Sequence, residues 1–192
     1  MATLLLGNMK KAIFKEGVLP VLLITLGVMM RFLPHPANFA PIGAIAVFSG
    51  MYLPKRVALI VPLLAVLASD FFIGFYDWKI MLSVYGGFLL MGVIGLFVRK
   101  HKKVGNVIGG TLLGSLSFFL ITNAAVWMFG AMYASDFAGL MQSYFMALPF
   151  FLNSVLGDLF YVGVLVGGME LVLRLAAPEN SQARRGNKFR WV

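Results

Sequence analysis

Long apolar stretches alternate with short polar ones along the whole chain. A transmembrane helix needs about 20 apolar residues to cross roughly 30 Å of hydrocarbon. Six stretches approach that length, so the pattern predicts six transmembrane helices, at 17–33, 38–53, 56–76, 79–98, 104–129 and 146–173. The second is the shortest and starts near Pro41, whose ring suits the first turn of a helix.

Composition supports the same class of protein. Hydrophobic residues make up 60% of the 192 residues, only 12% are charged, and the mean hydropathy is +0.90. These values exclude a water-soluble domain and indicate an all-α integral membrane protein. The chain has no cysteine, which excludes disulfides and thiolate chemistry. The net charge of +9 is read as a topology signal, and no nucleic-acid partner is expected.

The basic residues predict the orientation of the spans. All 16 lysines and arginines except Arg31 and Lys79 fall before the first span, after the sixth, or in the loops that follow the second and fourth spans. The positive-inside rule then predicts that both termini face the cytoplasm. The location expected for such a multi-pass protein is the inner (cytoplasmic) membrane. The alternative, a cleaved signal peptide, would leave five spans and put the termini on opposite sides.

The chain divides into one membrane domain and a tail. Residues 1–176 form a single six-helix transmembrane domain in this interpretation, with a tight turn at Pro54-Lys55-Arg56. Residues 177–192 are polar, basic and without apolar periodicity. They predict a flexible cytoplasmic tail that touches anionic membrane lipids.

The depth of each polar side chain in the membrane follows from its position along its predicted helix, at a rise of 1.5 Å per residue. By this measure, polar side chains from several helices lie in the outer half of the membrane. Ionisable groups at such depths usually face a cavity or a charged partner. We therefore predict an outward-facing substrate pocket, with the proline-rich stretch 31–38 as one wall. Its candidate residues are Arg31, His35, Asn38, Asp70, Tyr85, Asn123, Trp127, Tyr144, Asn153 and Asp158.

Several candidates have a structural alternative. Arg31 could snorkel to the headgroups, or it could pair with an ionised Asp70. Asp158 could be protonated and bonded to a helix carbonyl, and Asn123 and Asn153 could join helices. His35 has no second histidine nearby, so no metal site is predicted.

Catalytic motifs are absent. The sequence contains no HExxH, no GxSxG and no glycine-rich nucleotide loop. Asp70 and Asp158 lack the YD and GxGD contexts of intramembrane aspartyl proteases. The chain is therefore predicted not to be an enzyme and to need no cofactor.

Four segments within residues 29–168 carry a family resemblance. They read RFLPHPANFAPIGAIAVFSGMYL, PLLAVLASDFFIGFY, SFFLITNAAVWMFGAMY and ALPFFLNSVLGDLFYVGVLVG. The chain resembles small bacterial membrane proteins similar to the substrate-binding S components of energy-coupling-factor (ECF) transporters. That resemblance implies a six-helix binder of a vitamin or metal ion, with an outward pocket. It also implies partners, namely an ECF coupling subunit and two ATPases.

One part of the S-component pattern is missing. The Ala-x-x-x-Ala docking signature does not occur in 17–33, and the nearest match is Ala40 to Ala44 at the start of the second span. The chain could therefore act without the ATPase module.

The leading hypothesis is uptake of a small, vitamin-like solute. Arg31 and Asn38 would hold its polar groups, Trp127 would stack on its flat part, and Asp70, Asn123 and Asp158 would line or brace the floor. The alternative is a scaffold of the cell-shape or envelope machinery, which would dock partners through the basic loop 99–103 and the tail.

Overall fold

The computed structural model describes residues 17–175, and that part of the chain is helical without any strand. Its helices are α1 (Val18–Phe32), α2 (Ile42–Tyr52), α3 (Lys55–Ile73), α4 (Trp78–Val98), α5 (Val104–Phe129) and α6 (Phe137–Leu175). A single 3-10 turn, Arg99–His101, joins α4 to α5. The predicted all-α class is confirmed. The predicted tail, 177–192, and the basic residues before the first span lie outside the described residues.

Four of these helices are long and apolar enough to cross a membrane, namely α3, α4, α5 and α6. The described parts of α1 and α2 are shorter, with 15 and 11 residues. At 1.5 Å per residue, α2 extends only about 16 Å, roughly half of the hydrocarbon thickness. The turn at Pro54 is as predicted, since α2 ends at Tyr52 and α3 begins at Lys55.

The last helix begins well before the predicted residue 146. The side chain of Asp136 accepts a hydrogen bond of 2.7 Å from the backbone N–H of Gly139, and so starts α6 at Phe137. Gln142 and Ser143 make this first part of the helix less apolar, which is why hydropathy alone placed the start too late. Pro149 lies inside α6 without ending it.

The short helix α2 is the centre of the bundle. Every residue from Ile42 to Met51 is buried, and α2 packs against α1, α3, α4, α5 and α6. Ile45, Phe48 and Met51 are at most 1% exposed and contribute the largest side chains of this core. A helix that is apolar on all sides is expected in such a position.

Helices α2 and α4 touch through their backbones. A Cβ atom on Gly95 would meet the backbone of Val47 and would lie 3.0 Å from the Cα of Gly50. A Cβ atom on Gly50 would in turn meet the backbone of Gly92 and Gly95. Small residues at a helix crossing permit this close approach, which van der Waals packing then stabilises.

Charged side chains from other helices satisfy both ends of α2. At its C-terminal end, Arg99 donates from Nε to the carbonyl of Gly50 at 2.8 Å and from Nη2 to the carbonyl of Leu53. At its N-terminal end, the Asp158 carboxylate accepts from the backbone N–H of Ala44. A buried helix end needs such partners, and each charge has the sign that the helix dipole favours.

Side-chain contacts show which helix ends lie together. Arg31 near the end of α1 binds Asp70 near the end of α3, and Tyr85 near the start of α4 binds the same carboxylate. We call this the polar end of the bundle. The opposite end, where Arg99 meets the end of α2, also holds Lys55, Arg56 and the loop 99–103; we call it the basic end.

The crossing of α2 and α4 can be tested with two substitutions in one helix. Gly95→Ala should lower the free energy of unfolding by about 1 to 3 kcal/mol, because its methyl group has no room. Gly86→Ala should be neutral or stabilising by up to about 1 kcal/mol, because nothing lies within 4 Å of its Cβ position. Thermal denaturation in one detergent compares the two, and equal melting temperatures would contradict the packing described.

Candidate functional site

A cavity of about 310 Å³ lies at the polar end, and all six helices line it. Each helix contributes at least one residue, among them Arg31 of α1, Gly43 of α2, Val66 of α3, Phe88 of α4, Ser115 of α5 and Asp158 of α6. Asn38 adds an amide from the loop between α1 and α2. The cavity therefore combines charged, polar and aromatic groups that are far apart in sequence.

A second cavity of about 120 Å³ adjoins the first. The two share the lining residues Asn38, Ser115, Phe118, Thr122 and Ser154, and the smaller one adds Asn123. Asn123 donates from Nδ2 to the carbonyl of Phe119 at 2.8 Å, which leaves its side-chain oxygen for other contacts. The polar space thus extends from Arg31 to the interface of α5 and α6.

Arg31 is fixed by one of its nitrogen atoms. Its Nη1 donates to Asp70 Oδ1 at 2.6 Å, to Ser69 Oγ at 2.5 Å and to the carbonyl of Val66 at 3.4 Å. Within residues 17–175, Nε and Nη2 have no acceptor, and the side chain is 25% exposed. The guanidinium is therefore held rigidly and keeps donors for a bound molecule.

Asp70 lies behind Arg31 and does not line the cavity. It is 1% exposed, and its second oxygen accepts from the hydroxyl of Tyr85 at 2.9 Å. The structure brings together Arg31, Asp70 and Tyr85, all of which were predicted site residues. Asp70 and Tyr85 position the arginine, so any effect of Asp70 on a ligand passes through Arg31.

Asp158 lies where α2 meets the cavity. It is 6% exposed, and its Oδ2 lies 2.7 Å from Ser115 Oγ, whose single hydrogen also has the carbonyl of Thr111 within reach at 3.0 Å. A Cβ atom on residue 43 would collide with Oδ1, so Gly43 lets the carboxylate reach the first turn of α2. Its described partners are thus a backbone N–H and a hydroxyl, whereas the alternative from the sequence had a protonated Asp158 bonded to a helix carbonyl.

The loop before α2 is tied to α6. Asn153 donates from Nδ2 to the carbonyl of Ala37 at 3.0 Å, and the ring of Phe39 lies 5.6 Å from that of Tyr161. Asn38 has a φ of 64°, in the left-handed region that asparagine tolerates better than most residues. These contacts hold Asn38 at the cavity, and Asn153 acts by supporting the loop.

Three predicted residues contact other parts of the polar end. Trp127 donates from Nε1 to the carbonyl of Ala134 at 2.9 Å, and Tyr144 donates to the carbonyl of Leu120 at 3.0 Å. His35 has a buried Nε2 without a hydrogen-bond partner among the described residues. None of the three lines the two adjoining cavities, and Tyr144 instead lines a separate groove with Phe119 and Met141.

Sequence reasoning did not select several lining residues. Phe88 and Phe118 form a wall, with ring centroids 4.6 Å apart and ring planes inclined at 36°. Ser115 and Ser154 are further lining residues that were missed. Phenylalanine and serine are common in membrane helices, so nothing in the sequence separates these from core residues.

A larger cavity of about 700 Å³ lies at the basic end, between α5 and α6. Its polar groups gather at one end, where Tyr52 donates to Glu170 at 2.6 Å and Lys102 Nζ lies 3.7 Å from the Tyr52 ring centroid. The rest of its lining is mostly apolar. Both cavities combine apolar walls with polar groups, but all six helices line only the one at the polar end, which also holds Arg31 and Asp158, so it is the candidate site.

The fold is an all-helical bundle that encloses a polar cavity, and four of its helices are long and apolar enough to cross a membrane. The chain belongs to a family of unknown function, DUF6580, whose family model matches residues 11–181. Comparison with curated proteins and with solved structures gives no significant match.

The Arg31–Asp70 pair can be tested by removing one charge. Asp70→Asn should lower the free energy of unfolding by about 3 kcal/mol, because Arg31 then loses its only ion-pair partner among residues 17–175. Asp77→Asn is the control, since Asp77 caps α4 at an exposed position and asparagine caps equally well. Thermal denaturation checks both variants, and a melting temperature for Asp70→Asn equal to that of the control would contradict the ion pair.

Proposed function

We propose that the protein binds a small, vitamin-like solute for uptake, in the manner of an S component. The observation that carries this proposal is the cavity at the polar end, which all six helices line. Arg31 and Asp158 are costly at this depth of a membrane bundle, and such residues usually serve a substrate path or binding site.

The cavity volume supports a small molecule. About 310 Å³, with a further 120 Å³ adjoining, lies at the lower end of the range for small-molecule sites. Phe88 and Phe118 offer a flat apolar surface, while Arg31 and Asn38 offer hydrogen-bonding groups. A solute with one flat part and a few polar substituents fits this lining better than a lipid chain does.

The proposed orientation exposes the polar end to the outside of the inner membrane. Lys55, Arg56 and the loop 99–103 lie at the basic end, which the positive-inside rule assigns to the cytoplasm. In this proposal all six helices belong to the membrane domain and both termini are cytoplasmic. Solute would then enter from outside.

The proposal does not depend on the usual docking signature. The nearest match, Ala40 to Ala44, surrounds the start of α2, and Ala44 is fully buried. It is therefore inaccessible to a coupling subunit. Uptake would proceed without the ATPase module, or the module would dock on another surface.

Co-purified solute tests the binding function. Protein purified in detergent from cells grown in rich medium should release one small molecule, detectable by mass spectrometry, at about one per chain. Ser154→Phe fills the cavity and should abolish that signal. Leu152→Phe, on the same helix but 62% exposed, is the matched control and should retain it.

Absence of any molecule from the wild-type protein, in preparations from several media, would contradict the proposal. Normal uptake of the solute by cells that carry Ser154→Phe would also contradict the proposal. The scaffold alternative predicts a different result, in which charge reversal at Lys100, Lys102 and Lys103 abolishes capture of a partner while the cavity variant Ser154→Phe has no effect.

The orientation is tested by single cysteines, because the native chain has none. Trp78→Cys and Ser135→Cys lie at exposed positions of the polar end and should react with a membrane-impermeant thiol reagent in intact cells. Lys103→Cys, exposed at the basic end, should react only after the cells are opened. Labelling of position 103 in intact cells would reverse the orientation and place the cavity on the cytoplasmic side.

A further inference from the structure

We infer that the solute carries a cationic nitrogen, bound between the Asp158 carboxylate and the rings of Phe88 and Phe118. This inference rests on the proposed function, since it names the chemical class of the solute that the same cavity takes. Three observations carry it: the charge balance of the cavity, the free acceptor capacity of Asp158, and the aromatic wall beside it.

The two buried aspartates differ in their charge partners. Asp70 forms an ion pair with Arg31 at 2.6 Å, so these two charges offset each other. Asp158 forms no ion pair with any residue between 17 and 175, although it is 6% exposed. A buried carboxylate without a cation is unfavourable unless it takes up a proton or another positive group compensates it.

The positive end of the α2 helix dipole offsets only part of the negative charge of an ionised Asp158. A helix N-terminus is equivalent to about half of a positive charge. Because Asp70 offsets the charge of Arg31, an ionised Asp158 leaves a net negative charge in its part of the cavity. A ligand cation beside Asp158 would complete the compensation, whereas an anion at the same place would be repelled.

Asp158 also has acceptor capacity to spare. A carboxylate can accept about four hydrogen bonds. Its described hydrogen-bond partners are the backbone N–H of Ala44 and Ser115 Oγ, whose single hydrogen is shared with the carbonyl of Thr111. At least about half of the acceptor capacity is therefore left for a ligand. Since Asp158 lines the cavity, an N–H group of a bound molecule can reach it.

The aromatic wall suits the same ligand. Phe88 and Phe118 both line the cavity with Asp158, and their ring centroids lie 4.6 Å apart. Ring faces attract cations, most strongly where water is excluded. Carboxylate and ring faces together favour an organic cation over a bare metal ion, for which the described residues offer no cluster of three His, Asp or Glu side chains.

Three probes of nearly equal shape test the inference on purified full-length protein. Benzamidine is a flat cation, benzamide is neutral, and benzoate is an anion. Isothermal titration should give a Kd for benzamidine at least about tenfold lower than that for benzamide, as expected for a charge pair removed from water. Benzoate should bind more weakly than benzamidine.

Two variants test whether the preference for the cation arises at Asp158 and at the aromatic rings. Asp158→Asn keeps the shape and can still accept a hydrogen bond, so it should bind benzamidine and benzamide equally. Phe118→Leu removes one aromatic ring and should weaken the binding of benzamidine more than the binding of benzamide. This second variant keeps the test valid if Asp158→Asn fails to fold. Ser154→Phe should block all three probes.

The outcomes separate this inference from the proposed function. Tighter binding of benzamide or benzoate, or a benzamidine preference that survives Asp158→Asn, would overturn the cation while leaving a solute-binding cavity. Binding of none of the three would also overturn the inference. In that case a co-purified molecule lacking a basic nitrogen would uphold the proposed function, and the absence of any co-purified molecule would remove both.

Discussion

Complete burial of the short helix α2 is the constraint on which the rest of this structure depends. A helix end enclosed by protein has no water to satisfy its free N–H and C=O groups. Here Asp158 of α6 binds the N-terminal end and Arg99, after α4, binds the C-terminal end. Each side chain brings the charge that complements the helix dipole. The two charged residues thus fix α2 along its axis, and the glycines at its crossing with α4 fix its distance from that helix.

The cavity is a consequence of the length of α2. Its 11 residues cover about 16 Å, while α3 to α6 are long enough to span the membrane. The space beyond its first turn is enclosed by the longer helices, and Ile42 and Gly43 line it. Asp158 belongs to both features, since it caps α2 and lines the cavity. A ligand bound at Asp158 would therefore contact the same carboxylate that caps the central helix α2.

Much of the fold and part of the candidate site could be predicted from the sequence. The same physical reasons explain which features could not be predicted. Apolar length predicted the helices, and the cost of burying charge singled out Arg31, Asp70 and Asp158 as residues for which a partner was expected. The sequence does not encode distance between helices directly, so it did not separate Asp70, which supports Arg31, from Asp158, which lines the cavity. The roles of Phe118 and Ser115 depend wholly on which helices are neighbours. The start of α6 was missed because a capping aspartate outweighed local polarity.

An experimental structure of protein purified from its native membrane, without added ligand, tests the central claim most directly. The account predicts an ordered non-protein molecule in the cavity, within hydrogen-bonding distance of Arg31 and Asp158, with α2 capped at both ends. A cavity filled by side chains of the protein itself, with Arg31 and Asp158 in direct contact, would contradict it.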